Sequence, residues 1–503
     1  MKKLYAIFGL FLLVFTAPAA LPQPDLIAQI HFAGAQKISA EAHSRAFTNE
    51  FCSAEALTLR AQTADKLSRW LAGWLQTNLN VTAADGAAKL RPLFDDLETS
   101  EWFLEARAAT TGKPEVALAI KLDPARTQVW LANLKPFLGP AAVKSVAGWL
   151  IFDSDPTLVK LGDQLAQKIS TPPAGCLDLD INWPRLAQWY PELKELALPE
   201  TQFTLTAADN NFQINGKFYF PENPVLTLEP WRMPTNTIHG PIDSFTAVRG
   251  FAPWFQSQTW AQPYQFAPAP NQFFSWSLPS FPYQTFSAVP VPNAAIALQS
   301  LYGHLLPSIT AANARHEFIM ALLPGMTNNE ITFRGMPFIN LNIRALVEPA
   351  GQFLFLSLFP NSGRNQPLPA ELFPVLANKN LLYYHWETSS VRMPQMLQLS
   401  QFSLMFTRHK QLDAGSVAFN WLQKIGPKLG NTDTEITQSG PGQFTFTRNA
   451  PGIFTATEFY ALANWLEAKN FPGCDLKLPP NPLMNKRPNQ ALHVITPVPA
   501  PGH

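Results

Sequence analysis

Cysteine is scarce in this chain of 503 residues, which contains only Cys52, Cys176 and Cys474. Three cysteines are too few for a scaffold held together by disulfides. Cys176 and Cys474 each follow a helical pattern and a turn that contains proline. The sequence therefore leaves two alternatives for them, a bridge between the two thiols or two small buried side chains.

Charge is also low. Asp, Glu, Lys and Arg make up 15% of the residues and the formal net charge is +1, against about 25% charged residues in an average soluble domain. The charge balance gives no electrostatic reason to bind nucleic acid, so we predict no nucleic-acid partner. A hydrophobic content of 47% is ordinary for a folded protein. The composition predicts a folded chain with a weakly charged surface.

The short sequence motifs that are typical of catalytic, metal-binding and phosphate-binding sites are missing. The sequence has no Gly-x-Ser-x-Gly, no His-Glu-x-x-His, no phosphate-binding glycine loop before Lys-Ser or Lys-Thr, and no Cys-x-x-Cys. This absence favours a non-catalytic protein, for which we predict no cofactor and no metal site.

Apolar runs long enough to cross a bilayer, about 20 residues, are absent too, so we predict no transmembrane segment. The first residues, Met1, Lys2 and Lys3, precede an apolar run over 4–15 and then the small residues TAPAA. This order is typical of a secretory signal peptide over 1–19, cleaved after Ala19. The mature protein is predicted to be exported, and to be periplasmic, cell-surface or extracellular.

Internal similarity is the most informative feature that is present. SEWFLEARA, PEVALAIKL and DPARTQVWLANLKPFLG predict two strands and a helix that begins at Asp123 and Pro124. NQFFSWSL, FPYQTFSAVPV and PNAAIALQSLYGHLL repeat that order, with Asn293 in the capping position. Further along the chain, an offset of 203 residues aligns Ile181 with Tyr384.

We therefore predict an α+β fold made of two divergent copies of a strand-turn-strand-helix unit with mainly antiparallel sheets. The predicted units cover 24–220 and 244–470, with a connecting segment over 221–243. A tail over 471–503 is rich in proline and is predicted to be mostly disordered. This duplicated arrangement resembles uncharacterised exported bacterial proteins with duplicated α+β units, a resemblance that implies no activity.

The stretch from 250 to 286 has an aromatic residue at about every third position and no Asp, Glu, Lys or Arg. Exposed apolar surface of this size usually marks a contact. We predict Trp254, Trp260, Phe274 and Trp276 as its binding residues. The alternatives are burial between the two halves, contact with a protein partner, a stacking platform for polysaccharide, and a groove for an apolar ligand.

Four polar residues are the candidates for catalysis. Asp178 and Asp180 share one face of a predicted strand, at a separation that overlaps that of paired glycosidase carboxylates. His385 and Glu387 share a face of another strand. An enzyme would need at least two of these groups to converge on one concave pocket.

The sequence thus favours an exported, non-catalytic binding or structural component of the cell envelope, with an envelope protein or polysaccharide as its possible partner. One alternative is a hydrolase acting on an envelope polymer or polysaccharide. A second alternative is a carrier of an apolar ligand.

Overall fold

The structure, a computed structural model, describes a large part of the chain. The described residues are 25–40, 45–76, 82–108, 114–134, 142–154, 160–169, 175–190, 193, 198–208, 211–224, 226–258, 266–280, 284–316, 320–335, 340–359, 372–406 and 415–473. The predicted signal peptide, Trp260 and Cys474 lie outside them.

The first half contains β1 (Leu26–Phe32), α1 (Ala35–Ala40), α2 (Arg45–Phe51), α3 (Ala54–Gln76), α4 (Ala83–Thr99), β2 (Trp102–Arg107), β3 (Glu115–Lys121), α5 (Pro124–Leu134), β4 (Ala142–Val146), β5 (Trp149–Asp153), α6 (Lys160–Lys168), β6 (Leu177–Ile181), α7 (Trp183–Trp189), β7 (Glu200–Ala208) and β8 (Asn211–Tyr219).

The second half contains β9 (Ser244–Arg249), α8 (Ala252–Ser257), β10 (Gln272–Leu278), β11 (Gln284–Val291), α9 (Ala294–Ala314), β12 (Leu323–Met326), β13 (Glu330–Arg334), β14 (Asn342–Glu348), β15 (Gly351–Ser357), α10 (Leu372–Leu376), β16 (Leu381–Thr388), α11 (Ser389–Phe406), α12 (Val417–Ile425), a 3₁₀ turn (Gly426–Lys428), β17 (Asn431–Gly440), β18 (Gln443–Ala450) and α13 (Ala456–Glu467).

The described strands form one antiparallel sheet, so the predicted α+β class with antiparallel pairing is confirmed. Its spatial order is β4-β5-β3-β2-β1-β6-β7-β8-β18-β17-β16-β9-β10-β11-β15-β14-β13-β12. The two halves meet at the pairing of β8 with β18, where Phe218 lies opposite Phe444. Outward from that pairing, one side has β7, β6, β1, β2, β3, β5 and β4. The other side has the equivalent strands of the second half in the corresponding order: β17, β16, β9, β10, β11, β15 and β14.

One row of directly opposed residues crosses the sheet and defines a face that we call the ladder face. Directly opposed residues point to the same side of a sheet. The row runs Lys144, Ile151, Ala119, Phe103, His31, Asp178, Thr204, Asn215, Thr447, Glu435, Tyr384, Ala247, Phe274, Ala288, Phe355 and Arg344. It is polar in the middle and apolar towards both ends.

The main core lies on the opposite face, where helices of both halves pack against the strands of the first half. Ile30 and Leu179 of the sheet, Leu59 of α3, and Leu422 of α12 belong to this one cluster of buried side chains. Lys66 Nζ also donates to the backbone oxygen of Leu466 at 2.6 Å. The two halves therefore share a core and do not stand as separate globules.

Helix starts follow the local chemistry that the sequence predicts. The side chain of Asn293 accepts from Ile296 N at 3.1 Å, and the side chain of Asp123 accepts from Arg126 N at 2.7 Å. α13 opens with a capping box of Thr455 and Glu458. These side chains satisfy amide groups that have no partner within the first turn of a helix. Within the described residues, no helix combines the length and the apolar character that crossing a membrane requires.

Candidate functional site

The predicted aromatic residues occupy two different environments. Trp254 lies on α8 and is 46% exposed. Phe274 and Trp276 lie on β10 and are 0% and 1% exposed, and the Trp276 ring stacks on Phe286 at 5.5 Å between centroids. Two of the four residues thus belong to the core and offer no surface to a ligand. The prediction for Trp254 and Trp260 stays a prediction.

The cover over Phe274 and Trp276 comes from the connecting segment and from the second half. Met233, Ile238 and Ile242 of the connecting segment, with Leu372 of α10, complete the cluster that buries them. No residue before 231 belongs to this cluster within the described part of the chain. Burial of this face between the two halves, the sequence-based alternative, is therefore wrong, because the connecting segment folds over it instead.

The four candidate catalytic residues lie on opposite faces of the sheet. Asp178 belongs to the ladder face and Asp180 shares its orientation, because side chains two residues apart on a strand point the same way. His385 instead lies in a row with Thr434, Arg448, Ile214, Leu205 and Leu177. Leu177 precedes Asp178, so its side chain points to the other face. The sheet therefore separates the two pairs, and no single pocket holds all four groups.

On the ladder face, His31 is held between two carboxylates. Its Nε2 lies 3.3 Å from Glu101 Oε1 and its Nδ1 lies 3.4 Å from Asp178 Oδ2. His31 is 2% exposed. Burial alone would lower the pKa of His31, but its hydrogen bonds with Asp178 and Glu101 outweigh burial, so the net pKa is raised. The arrangement stabilises an imidazolium inside the sheet.

Asp180 lies beside this site, and its pKa is shifted mainly by burial. Burial, helped by the nearby charge of Glu200, raises the pKa of Asp180 to about 6, and the side-chain amide of Gln202 donates to it at 3.2 Å. Burial also raises the pKa of Glu200, which accepts from Asn182 Nδ2 at 2.8 Å. These groups line a polar part of the ladder face, where a carboxyl group titrates near neutral pH.

His385 and Glu387 have a structural role, because they link β16 to the starts of α11 and α13. We call this link the structural joint. Glu387 is 1% exposed and accepts from Ser389 Oγ at 2.5 Å and from Ala456 N at 2.7 Å. His385 Nε2 lies 3.2 Å from the Glu387 carboxylate, and His385 Nδ1 lies 2.8 Å from Thr246 Oγ1. Burial would raise the pKa of Glu387, but its hydrogen bonds lower it overall. Glu387 therefore ties the start of α13 to the sheet.

A cavity of about 390 Å³ lies on the opposite face of the sheet. Phe32, Trp102 and Leu177 form its floor on β1, β2 and β6. Its walls come from α3 and α4 of the first half and from α12 and α13 of the second, with Trp421 and Leu462 on the second-half side. Thirteen of its sixteen lining residues are apolar.

The three polar lining residues are Arg60, Thr63 and Glu98. Thr63 Oγ1 donates to the backbone oxygen of Leu59 at 2.8 Å, so its hydroxyl is satisfied within α3. Arg60 of α3 and Glu98 of α4 form an ion pair, and their side chains are 26% and 31% exposed. The pair therefore lies where the apolar cavity reaches solvent.

This geometry suits the binding of a small apolar molecule. Ligand pockets usually enclose about 300–1,000 Å³ and combine mostly apolar walls with a few polar groups. Among the described residues, no group of three or more His, Cys, Asp or Glu side chains is placed to hold a metal ion.

The cavity was missed in the sequence because its residues come from eight elements that are spread along the chain. The one local signal is the placement of Arg60 and Glu98 on helices whose inward faces are otherwise apolar, in a chain with few charges. Comparison with family models, curated proteins and solved structures finds no match to this chain.

Proposed function

We propose that the protein binds an apolar ligand in the cavity between α3, α4, α12 and α13. The observation that carries this proposal is an apolar space of about 390 Å³ walled by both halves. A cavity of about 150 Å³ already accommodates benzene. The space here is more than twice that size and has room for an alkyl chain or a fused ring system.

The energetic cost of the cavity supports a functional role. Empty cavity volume costs about 24 cal/mol per Å³, so 390 Å³ left empty would forfeit up to roughly 9 kcal/mol. A folded domain retains only about 5–15 kcal/mol of net stability. This upper bound includes the part of the cavity that opens to water at Arg60 and Glu98. A ligand that fills the space would recover much of the lost packing.

We further propose that the protein is exported and acts outside the cytoplasm. The support is the charged, apolar and small-residue order of residues 1–19. An exported carrier of an apolar ligand, or an envelope component that binds one, fits both features. Sequencing the N-terminus of the protein recovered from its native host tests the export proposal. A first residue at Ala20 is expected, and an intact Met1 would contradict it.

The two halves are proposed to descend from one duplicated unit. The ladder supports this because Phe103 and Phe274 lie equally far from its centre, as do Lys144 and Arg344. Along the same row, Asp178 corresponds to Tyr384, which is an offset of 206. The sequence-based offset of 203 over these strands was therefore three residues out of register.

The ladder faces of the two units differ near the centre of the sheet. There, His31 and Asp178 of the first half stand where the second half has Ala247 and Tyr384. Further out, both units have a core cluster on this face, which contains Phe103 in the first half and Phe274 in the second. The cavity lies on the opposite face, in the main core.

The hydrolase alternative has less support, because its two residue pairs lie on opposite faces and none of the four residues lines the cavity of about 390 Å³. Glu387 is fully engaged in holding Ala456 and Ser389. The polysaccharide alternative rests on Trp254 and Trp260 alone.

The proposed function is tested by titrating the neutral fluorescent probe N-phenyl-1-naphthylamine. Ala64 lines the cavity and is 7% exposed, whereas Ala61 is exposed on the same helix. We expect saturable binding to the wild type, at least tenfold weaker binding to Ala64→Phe, and unchanged binding to Ala61→Phe. Equal binding by all three proteins would overturn the proposal.

A further inference from the structure

The cavity carries its charges only at the mouth, and there they are paired. We propose that the ligand, whose apolar part rests on the proposed function above, is a single-chain amphiphile whose polar end has a hydrogen-bond acceptor and no net charge. Arg60 and Glu98 give this selectivity. Alcohols, esters, amides, amine oxides and zwitterionic head groups have the required chemistry.

The charges around the mouth favour a head group without net charge. The positive charge of Arg60 is balanced by Glu98, with which it pairs. Arg91 of α4 pairs with Asp65 of α3 at 2.6 Å and also with Asp95. These five side chains carry two positive and three negative charges. An anionic head group beside these α3 and α4 side chains would meet an excess of negative charge, and it would also compete with Glu98 for the guanidinium. The ammonium of Lys66 is engaged by the backbone oxygen of Leu466.

A cationic head group is disfavoured for a different reason. Pairing with Glu98 would require it to approach Arg60, and like charges at short range repel strongly where water is partly excluded. A head group without net charge avoids both costs, because it leaves the Arg60 and Glu98 pair closed. A zwitterionic head group also leaves the total charge unchanged.

The acceptor requirement follows from the hydrogen bonds of Arg60. Its Nη1 donates to the backbone oxygen of Phe51 at 3.2 Å, and its Nη2 is engaged by Glu98. Its Nε is buried and has no hydrogen-bond partner in the described part of the chain. A buried donor without a partner is costly. A ligand oxygen at the mouth would satisfy it after a small rotation of the side chain.

The test uses three probes that share a dodecyl chain and differ in head group: dodecyldimethylamine oxide, dodecanoate and dodecylammonium. Each is titrated by calorimetry below its micelle concentration at about pH 8. We expect the wild type to bind the amine oxide at least fivefold more tightly than either charged probe. Dodecanoate binding as tightly as the amine oxide would overturn the inference.

Two variants of equal charge sharpen the test. Glu98→Gln frees Arg60 and is expected to tighten dodecanoate binding at least tenfold. Asp65→Asn removes the same charge from the same helix pair but leaves Arg60 and Glu98 together, so it should change dodecanoate binding less than threefold. If both variants respond equally, overall charge and not the pair sets selectivity, and the inference fails.

Failure of the proposed function would look different. In that case none of the three probes would bind the wild type, and Ala64→Phe would change nothing. Circular dichroism of each variant shows that it is folded. If Glu98→Gln does not fold, Arg60→Gln with dodecylammonium takes its place, with an expected tenfold gain for the cationic probe. No gain in that variant would also overturn the inference.

Discussion

Trp421 donates its indole N–H to the backbone oxygen of Glu50 at 2.7 Å, although 371 residues separate the two in the chain. The donor belongs to the second half and the acceptor to the first. Trp421 is 2% exposed, packs against Phe459 at 5.7 Å between ring centroids, and lines the cavity. The wall of the cavity therefore depends on the contact between the halves.

Trp421→Phe should destabilise the whole protein. It removes the donor and leaves the Glu50 carbonyl buried without a partner, which costs about 1–3 kcal/mol. Trp465 is a matched control, because its indole nitrogen is buried but has no partner in the described structure. Trp465→Phe should therefore cost less than Trp421→Phe in the free energy of unfolding by urea. Equal costs would contradict this account of the interface.

Truncation of two tryptophans in the uncharged aromatic stretch should change stability by very different amounts. Trp276→Ala removes a fully buried ring from the second-half core, and such truncations cost about 3–5 kcal/mol. Trp254→Ala alters a ring that is 46% exposed and should shift stability by only about 0.5 kcal/mol. Thermal unfolding of both variants checks this, and a larger loss for Trp254→Ala would be the contrary result.

Asp180 should make stability fall as pH rises through mildly acidic values. Its pKa is raised to about 6 in the folded state from an ordinary value of 3.8, so the folded protein binds more protons than the unfolded chain between these values. Stability is then highest below about pH 4 for this group and is lost towards pH 6. Each pKa unit corresponds to about 1.4 kcal/mol.

Asp180→Asn is expected to reduce that slope and to stabilise the protein at pH 7 by on the order of 2 kcal/mol. The pKa of His31 is raised as well. Its contribution to the stability of the folded protein is therefore present below about pH 6.5 and declines at higher pH. Urea unfolding at a series of pH values separates the two windows. A slope that is unchanged between pH 4 and 6 in Asp180→Asn would show that another group is responsible.

Glu387 should be needed for stability and not for ligand binding. Glu387→Ala leaves the Ser389 hydroxyl and the Ala456 N–H buried without their acceptor, at a cost of about 3 kcal/mol. Because the pKa of Glu387 is lowered in the folded state, its contribution is present above about pH 4.3 and is lost as pH falls through the folded-state value.

Glu435→Ala is the comparison for Glu387→Ala. Burial and the neighbouring charge of Asp433 raise the pKa of Glu435, so its removal at pH 7 should be neutral or stabilising. If Glu435→Ala destabilises as much as Glu387→Ala, the assignment of Glu387 as a structural joint is wrong.

Local features of the fold were predictable where neighbouring residues determine the structure. Alternation in NQFFSWSL and FPYQTFSAVPV predicted β10 and β11, and Asn293 and Asp123 cap helices as their positions suggest. These elements depend on period and on side chains within three or four residues.

The connecting segment could not be assigned because it has no period. Met233, Ile238 and Ile242 are irregularly spaced, yet together they cover the second-half core. Their role is visible only when the sheet beneath them is in place. For the same reason, the sequence could not show that Phe274 and Trp276 are buried within their own half.

The cavity was beyond sequence reasoning because each of its apolar residues looks like ordinary core. Leu59 and Leu466 each lie at a position in their own helix where a buried core residue is expected. Nothing in the neighbouring sequence indicates a space between them. His31 was overlooked as well, since it stands alone in the apolar strand LIAQIHF. Its partners, Glu101 and Asp178, are brought to it by strand pairing across the sheet.

The central claim, a ligand in the cavity between the halves, is tested most directly by crystallography with 12-bromododecan-1-ol, an alkyl chain with an uncharged head group. The anomalous signal of bromine locates the chain without assumptions about its pose. The account predicts one bromine peak within contact distance of Leu59, Trp102 and Trp421, with the hydroxyl near Arg60. A cavity without bromine, or bromine bound only outside it at saturating ligand, would contradict the account.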